Sequence, residues 1–230
     1  MIKLHQTFSH VQYFDFEHIY INTLTGERMP SVTGHIKQFQ PVFQEDYWLG
    51  IKASERGITK EELKEEWQLK AKQAQEQGSC LHAFLEQKIQ RRHIVPTLPD
   101  HIDRDKFDIL LRQGEDYIKN IEYPMVAVEF VMCNLDNTLA GMCDLLLQGK
   151  EGLRIVDYKT GQMKDSYGKT HKSPYKDVPA SSIGKYSLQL NHYRDFLESR
   201  GFAVESMEIV WFNENNPTFE VFEIDKIEII

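Results

Sequence analysis

Three carboxylates and one lysine sit where carboxylates are least expected, inside or at the ends of apolar runs. They are Glu129 in 125–133 (MVAVEFVMC), Asp144 in 138–147 (TLAGMCDLLL), and Asp157 with Lys159 in 153–159 (LRIVDYK). Short runs rich in β-branched and apolar residues predict strands. Gly149-Lys150-Glu151-Gly152 reads as the turn between the second and third runs, and a regular hairpin about it sets Asp144 opposite Asp157. Asp136-Asn137 reads as a two-residue turn between the first and second, which sets Glu129 opposite Asp144. Directly opposed residues share a sheet face with Cβ atoms about 5 Å apart. Like charges at that spacing need either a raised pKa or a cation among them. Hard oxygen ligands in a row suit Mg²⁺ or Mn²⁺. Lys159, two residues beyond Asp157, falls on the same face, where its ammonium can neutralise part of the cluster or help position or deprotonate an attacking water. A lone Asp-x-Lys is an ordinary surface ion pair; the convergence of separate spacings on one spot is what favours a site.

His82 and Glu86 are four apart and share a helix face, so an imidazole could join the oxygen ligands if that helix packs on the sheet. Gln189 and Tyr193 show the same spacing, which fits a half-buried helix face as well as a functional one. Between Gly161 and Tyr186 lie Lys164, Lys169, Lys172, Lys176 and Lys185 against Asp165 and Asp177, interleaved with Tyr167 and Tyr175. Lysines with tyrosines suit backbone neutralisation and base stacking on single-stranded nucleic acid. A loop directly after the Lys159 strand would overhang the site.

The elements that must position these groups can be read in outline. Residues 11–22 (VQYFDFEHIYIN) predict a β-hairpin arm, and Ser31 or Thr33 offers a helix N-cap. Residues 59–77 predict a solvated helix anchored by Trp67, which Gly78 interrupts before a second helix from Ser79 to about Arg92. After a Pro96–Pro99 loop come a helix at 105–120, the three strands, a helix at 185–199 closed by Gly201, and strands at 206–212 and 218–224. The order predicts an α/β core with a mixed sheet.

Composition bounds the reading. With 230 residues and 41% hydrophobic content, the chain can bury a core without disulfides or structural metal. No apolar run reaches the roughly 18 residues of a membrane span, and the residues after Met1 lack a signal-peptide core, so a soluble intracellular protein is expected. Three cysteines, Cys80, Cys133 and Cys143, are too few for a four-cysteine iron–sulfur cluster. The net charge of −8 argues against a broadly basic DNA-coating protein. It is compatible with one that grips a few phosphates through a loop and metal, since two bound divalent ions would add about +4 locally.

Four pieces in order, Gly78-Ser79-Cys80-Leu81-His82 with Glu86, Gly141-Met142-Cys143-Asp144, Asp157-Tyr158-Lys159-Thr160 and Gln189-Leu190-Asn191-His192-Tyr193, resemble the RecB-like exonuclease branch of the PD-(D/E)XK nuclease superfamily. The resemblance covers roughly residues 75–213; Pro30-Ser31-Val32-Thr33 and Trp67 look, less specifically, like phage and mitochondrial-genome-maintenance exonucleases of that branch. It implies a restriction-endonuclease-like core, a mixed central sheet flanked by helices, over 75–230, preceded by a β-hairpin and helical extension over 1–74, the whole one compact domain. It implies that His82, Asp144, Asp157 and the Tyr158 backbone carbonyl ligate one or two Mg²⁺ or Mn²⁺ ions, with Lys159 catalytic and Gln189 and Tyr193 lining the site. Glu129 is added as a further partner by the hairpin register. The implied activity is metal-dependent DNA exonuclease action on single strands or duplex ends in replication, recombination or repair. A structure- or site-selective endonuclease and a catalytically idle DNA-binding module are the alternatives. DNA is the implied partner, with helicases and recombinases the protein partner classes, and the cytoplasm, or a phage host's cytoplasm, the expected compartment. Two departures stand out: relatives with an iron–sulfur cluster carry cysteines absent here, and the length is expected to leave no room for a fused motor.

Overall fold

The computed structural model describes residues 2–92 and 97–230. Of the expected Pro96–Pro99 loop, Pro96 lies outside the described residues. The N-terminal part comprises α1 (Ile2–Thr7), a small sheet of β1 (Val11–Phe14), β2 (Ile19–Asn22) and β3 (Arg28–Met29), then α2 (Val32–Lys37) and α3 (Glu45–Arg56). Ser31 is the N-cap of α2, its side chain accepting from the Gly34 N–H. The helices α4 (Lys60–Ile89) and α5 (Arg104–Lys119) lead into β4 (Met125–Cys133), β5 (Ala140–Gln148) and β6 (Leu153–Thr160). The chain closes with α6 (Ser182–Glu198), β7 (Val204–Phe212) and β8 (Glu220–Glu223). The main sheet runs β4-β5-β6-β7-β8; only β6 and β7 pair in parallel, as expected where the helix α6 makes the crossover.

Two apolar layers enclose this sheet. Leu188, Phe196 and Leu197 of α6 pack with Phe130, Leu146 and Ile155 on one face, and Leu4, Phe8, Val11 and Val32 of the N-terminal part join the same core. On the other face Leu81, Leu85, Phe107 and Leu110 of α4 and α5 cover Leu145, Val156, Tyr158 and Phe212. Among the described residues no helix is long and apolar enough to cross a membrane.

Four local outcomes differ from expectation. Gly78 does not divide a helix: α4 runs unbroken through it, starting from a capping box in which the Thr59 hydroxyl and the Glu62 carboxylate serve each other's backbone N–H. At Gly78 the helix passes close to the end of β6, where a Cβ would stand 2.9 Å from the Thr160 Oγ1, the movable end of a side chain. Asp136-Asn137 is the middle of a longer loop, in which the Asn134 side chain accepts from the Thr138 and Leu139 N–H groups. Neither α1 nor α3 was expected; α3 buries only Leu49 and Ala53, too sparse an apolar face to show as periodicity.

Candidate active site

From Ala127 onward in β4, and throughout β5–β6, the hairpin registers are those counted from the turns; a register shift between Met125 and Ala127 breaks the count at the outer end of β4. The pairs Val128↔Leu145 and Phe130↔Cys143 flank the opposition of Glu129 and Asp144, and Leu145↔Val156 is the last pair of β5 with β6 before the opposition of Asp144 and Asp157. Both oppositions, however, fall out of the ladders. Val128 and Leu145 pack under α4 and α5, whereas Phe130 and Cys143, two residues along their strands, pack under α6. An unbroken strand keeps such residues on one face, so both strands change face at 129 and 144. Glu129 carries the turn in its backbone, at φ 48°, a left-handed conformation costing about 1–2 kcal/mol for a non-glycine residue.

This break turns Glu129 and Asp144 toward α4, where His82 meets them. Leu81 and Leu85 on either side of His82 are fully buried; each contributes about 1.5–3 kcal/mol and together they fix which way the imidazole points. His82 Nδ1 stands 3.2 Å from Asp144 Oδ1, and the ligand atoms of His82, Glu129 and Asp144 all lie within 4.8 Å of one another. The other Asp144 oxygen accepts the Tyr158 backbone N–H. All three line an open cleft of about 740 Å³ together with Glu86 and Lys159. Asp157 lies on the other side of β6, outside the three-group cluster. It is ion-paired to Lys159, and its Oδ1 accepts from Gln189 Nε2 at 3.2 Å; the same amide donates to the Tyr193 hydroxyl at 3.0 Å.

The charge states follow from this packing. Burial, reinforced by the Asp144 charge, pushes the Glu129 carboxyl up to about 8. Burial also pushes Asp157 up to about 6 against the pull of Lys159. Burial works against the Asp144 carboxylate, but the His82 imidazole, Lys159 and the Tyr158 N–H outweigh it and hold that group below its ordinary value. His82 and Lys159 are correspondingly raised, the charges of Asp144 and Asp157 outweighing their own desolvation. A cavity that forces a glutamate toward protonation beside an ionised aspartate and an imidazole has the donor set and the charge deficit that a divalent cation satisfies. One nitrogen with carboxylate oxygens fits Mg²⁺ or Mn²⁺.

The nucleic-acid residues expected after β6 divide. Lys164, Tyr167, Lys169 and Lys185 line one surface cleft. Lys172 and Lys176 are exposed but line neither that cleft nor the site. Tyr175 is a core residue, its ring packed edge-on against Phe39 and its hydroxyl donating to the Ile230 carbonyl; no ring face is left for a base. Sequence reasoning did not place Tyr13, Asp15 and His18, from the tip of the β1–β2 hairpin, in the wall of the metal-ligand cleft. The Tyr13 hydroxyl and His18 Nδ1 are 2.7 Å apart; nothing in the local pattern of the arm says what it will cover.

The mixed sheet has helices on both faces, and at its rim two carboxylates and a histidine converge beside a lysine, a donor set that could hold a divalent cation. The sequence profile of the PD-(D/E)XK nuclease superfamily matches residues 62–223, and the chain belongs to that superfamily, whose members are metal-dependent nucleases. No curated protein matches the sequence. A crystal structure described as that of SSO0001 aligns at 14% identity over 52% of this chain and 48% of its own, about half its length, with a TM-score of 0.29, too loose a likeness to bear on fold or function.

Proposed function

We propose that the protein is a divalent-metal-dependent deoxyribonuclease that degrades DNA from ends, an exonuclease of the RecB-like branch. The observation that carries the reading is the convergence of His82, Glu129 and Asp144 within 4.8 Å, in the cleft that Lys159 also lines. His82, Glu129 and Asp144 would hold the cation, and Asp157 and the Tyr158 backbone carbonyl would be further ligands. The cation, Mg²⁺ or Mn²⁺, supplies Lewis-acid stabilisation of the charge that develops on the phosphoryl group. Lys159, kept protonated by Asp157 and Asp144, orients water for in-line attack and offsets the same charge. Gln189 holds Asp157 and, through it, the lysine. The finer assignment to DNA ends rests on the four motifs standing in that branch's order.

Purified protein given Mg²⁺ or Mn²⁺ should degrade linear DNA labelled at either end, stop on addition of EDTA, and leave circular single-stranded DNA intact. Asp144→Ala and Lys159→Ala should each abolish the activity. Cleaved circles would replace the exonuclease by an endonuclease, and activity untouched in both variants would remove the assignment altogether.

A further inference from the structure

The −8 chain divides its charge sharply around the site. The metal-ligand cleft is lined by Asp15, Glu86, Glu129 and Asp144. Beyond Lys159 the wall changes sign: the adjoining cleft is lined by Lys37, Lys159 and Lys185 with no acidic residue. The next, of about 480 Å³, shares Gln40 and Lys185 with it and adds Lys164 and Lys169 against Asp165 alone. The three clefts therefore lie side by side, the first two sharing Lys159 as a wall and the second and third sharing Gln40 and Lys185. Lys37, Lys164, Lys169 and Lys185 enter no ion pair among the described residues.

The outermost cleft is also where exposed rings gather. Tyr167 is 86% exposed, Phe43 63% and Trp48 40%, and all three line it. Exposed single aromatics are common, but three on one basic cleft are a patch with a purpose. Lysines without counter-charges beside exposed ring faces are the combination that binds a phosphate backbone while stacking its bases. Within a duplex the bases are covered by their neighbours, and only the terminal pair has a free face to offer such rings.

Resting on the nuclease reading above, we propose that this row of clefts is a track for an unpaired nucleic-acid strand. Its bases stack on Phe43, Trp48 and Tyr167, its phosphates follow Lys164, Lys169, Lys185 and Lys37, and it reaches the cleavage site past Lys159. The single-stranded substrate is therefore selected by the approach, upstream of the metal ligands.

The test is fluorescence anisotropy of the full chain with a labelled oligothymidylate of about twenty nucleotides, long enough for several stacked bases, and with a blunt duplex of the same length. Both are measured at low salt with Mg²⁺ in a Lys159→Met background that prevents cleavage. The single strand should bind more tightly than the duplex. Trp48→Ala and Tyr167→Ala should each weaken oligothymidylate binding by about tenfold and change duplex binding far less, and Trp48→Phe, which keeps a stacking face, should recover most of the loss. Lys164→Ala and Lys169→Ala should each flatten the salt dependence by roughly 0.7 in the log–log slope. Unchanged oligothymidylate binding in both aromatic variants overturns the track. So does a change in their mass by light scattering, which would make the patch an interface between two copies of the chain. Cleavage by the otherwise wild-type chain separates the two readings: if Asp144→Ala abolishes it while the aromatic variants bind normally, only the track fails. If Asp144→Ala has no effect, the nuclease reading fails, and the aromatic dependence of binding still decides the track.

Discussion

The backbone N–H of Tyr158 donates to the Asp144 carboxylate where β5 and β6 cease to pair. A side chain here stands in for the next rung of the ladder, and the strands open around it. With one carboxylate oxygen anchored in this way and the other facing His82, Asp144 is positioned before any cation arrives, so little ordering cost remains at binding.

Metal affinity should depend on the cluster and not on carboxylates merely near it. Glu129→Gln and His82→Ala should each weaken Mn²⁺ binding by about 10–100-fold, the scale on which even supporting groups of metal sites act. Glu86→Gln should change it far less, because the Glu86 carboxylate is engaged by Gln90 and stands outside the convergent trio. Calorimetric titration with Mn²⁺ reads all three, and an equal loss in Glu86→Gln would redraw the ligand set.

Cation uptake should release protons. Glu129, raised to about 8, and Asp157, raised to about 6, must ionise to act as ligands, so apparent affinity should climb from pH 6 to pH 8 and then level. In the metal-free protein the same shifts act on stability. These carboxyls hold their protons in the native state above the pH at which the unfolded chain has lost them. The stability they contribute is complete below the ordinary carboxylate range and disappears as pH rises through 6 and then 8. Calorimetry in buffers of different ionisation heat, together with thermal melts with and without Mn²⁺, checks both; a pH-independent affinity over that window would contradict the charge states given above.

Gln189 should act through Asp157. Replacing it by leucine removes the amide that donates to Asp157 Oδ1, leaving a buried carboxylate oxygen without that donor at a cost of about 1–3 kcal/mol. The carboxylate loses a stabilising bond, so its pKa should rise further and the alkaline onset of activity should move upward, with Gln189→Glu failing to restore it. A loss of stability with an unmoved pH profile would make Gln189 structural only.

Two glycines should respond in opposite directions to an added methyl. At Gly78 the obstacle is the Thr160 hydroxyl, which can rotate away, while alanine gains about 1 kcal/mol of helix propensity; Gly78→Ala should be neutral or stabilising. At Gly184, in the first turn of α6, the added Cβ would strike the Pro179 backbone carbonyl, which cannot yield without moving the loop. Gly184→Ala should cost about 1–3 kcal/mol and weaken substrate binding through the neighbouring Lys185. Chemical denaturation of the two variants decides.

What the sequence determined by itself is local. Short apolar, β-branched runs set the strands β4, β5 and β6 to within about two residues, and the turn centre at Lys150-Glu151 set the register that opposes Asp144 to Asp157, because strand pairing around a turn is a matter of counting. The spacing of His82 and Glu86 set which helix face they share. Tertiary structure alone decided how those pieces meet. The change of face at Glu129 and Asp144 is a backbone event driven by packing on two opposite cores, and it separates Asp157 from the trio that a flat sheet would have kept in one row. Only α4 lying against Thr160 through Gly78 brings His82 to Asp144. The burial of Tyr175 and the gathering of Phe43, Trp48 and Tyr167 follow from loops distant in sequence closing on one another, and no window along the chain records such a contact.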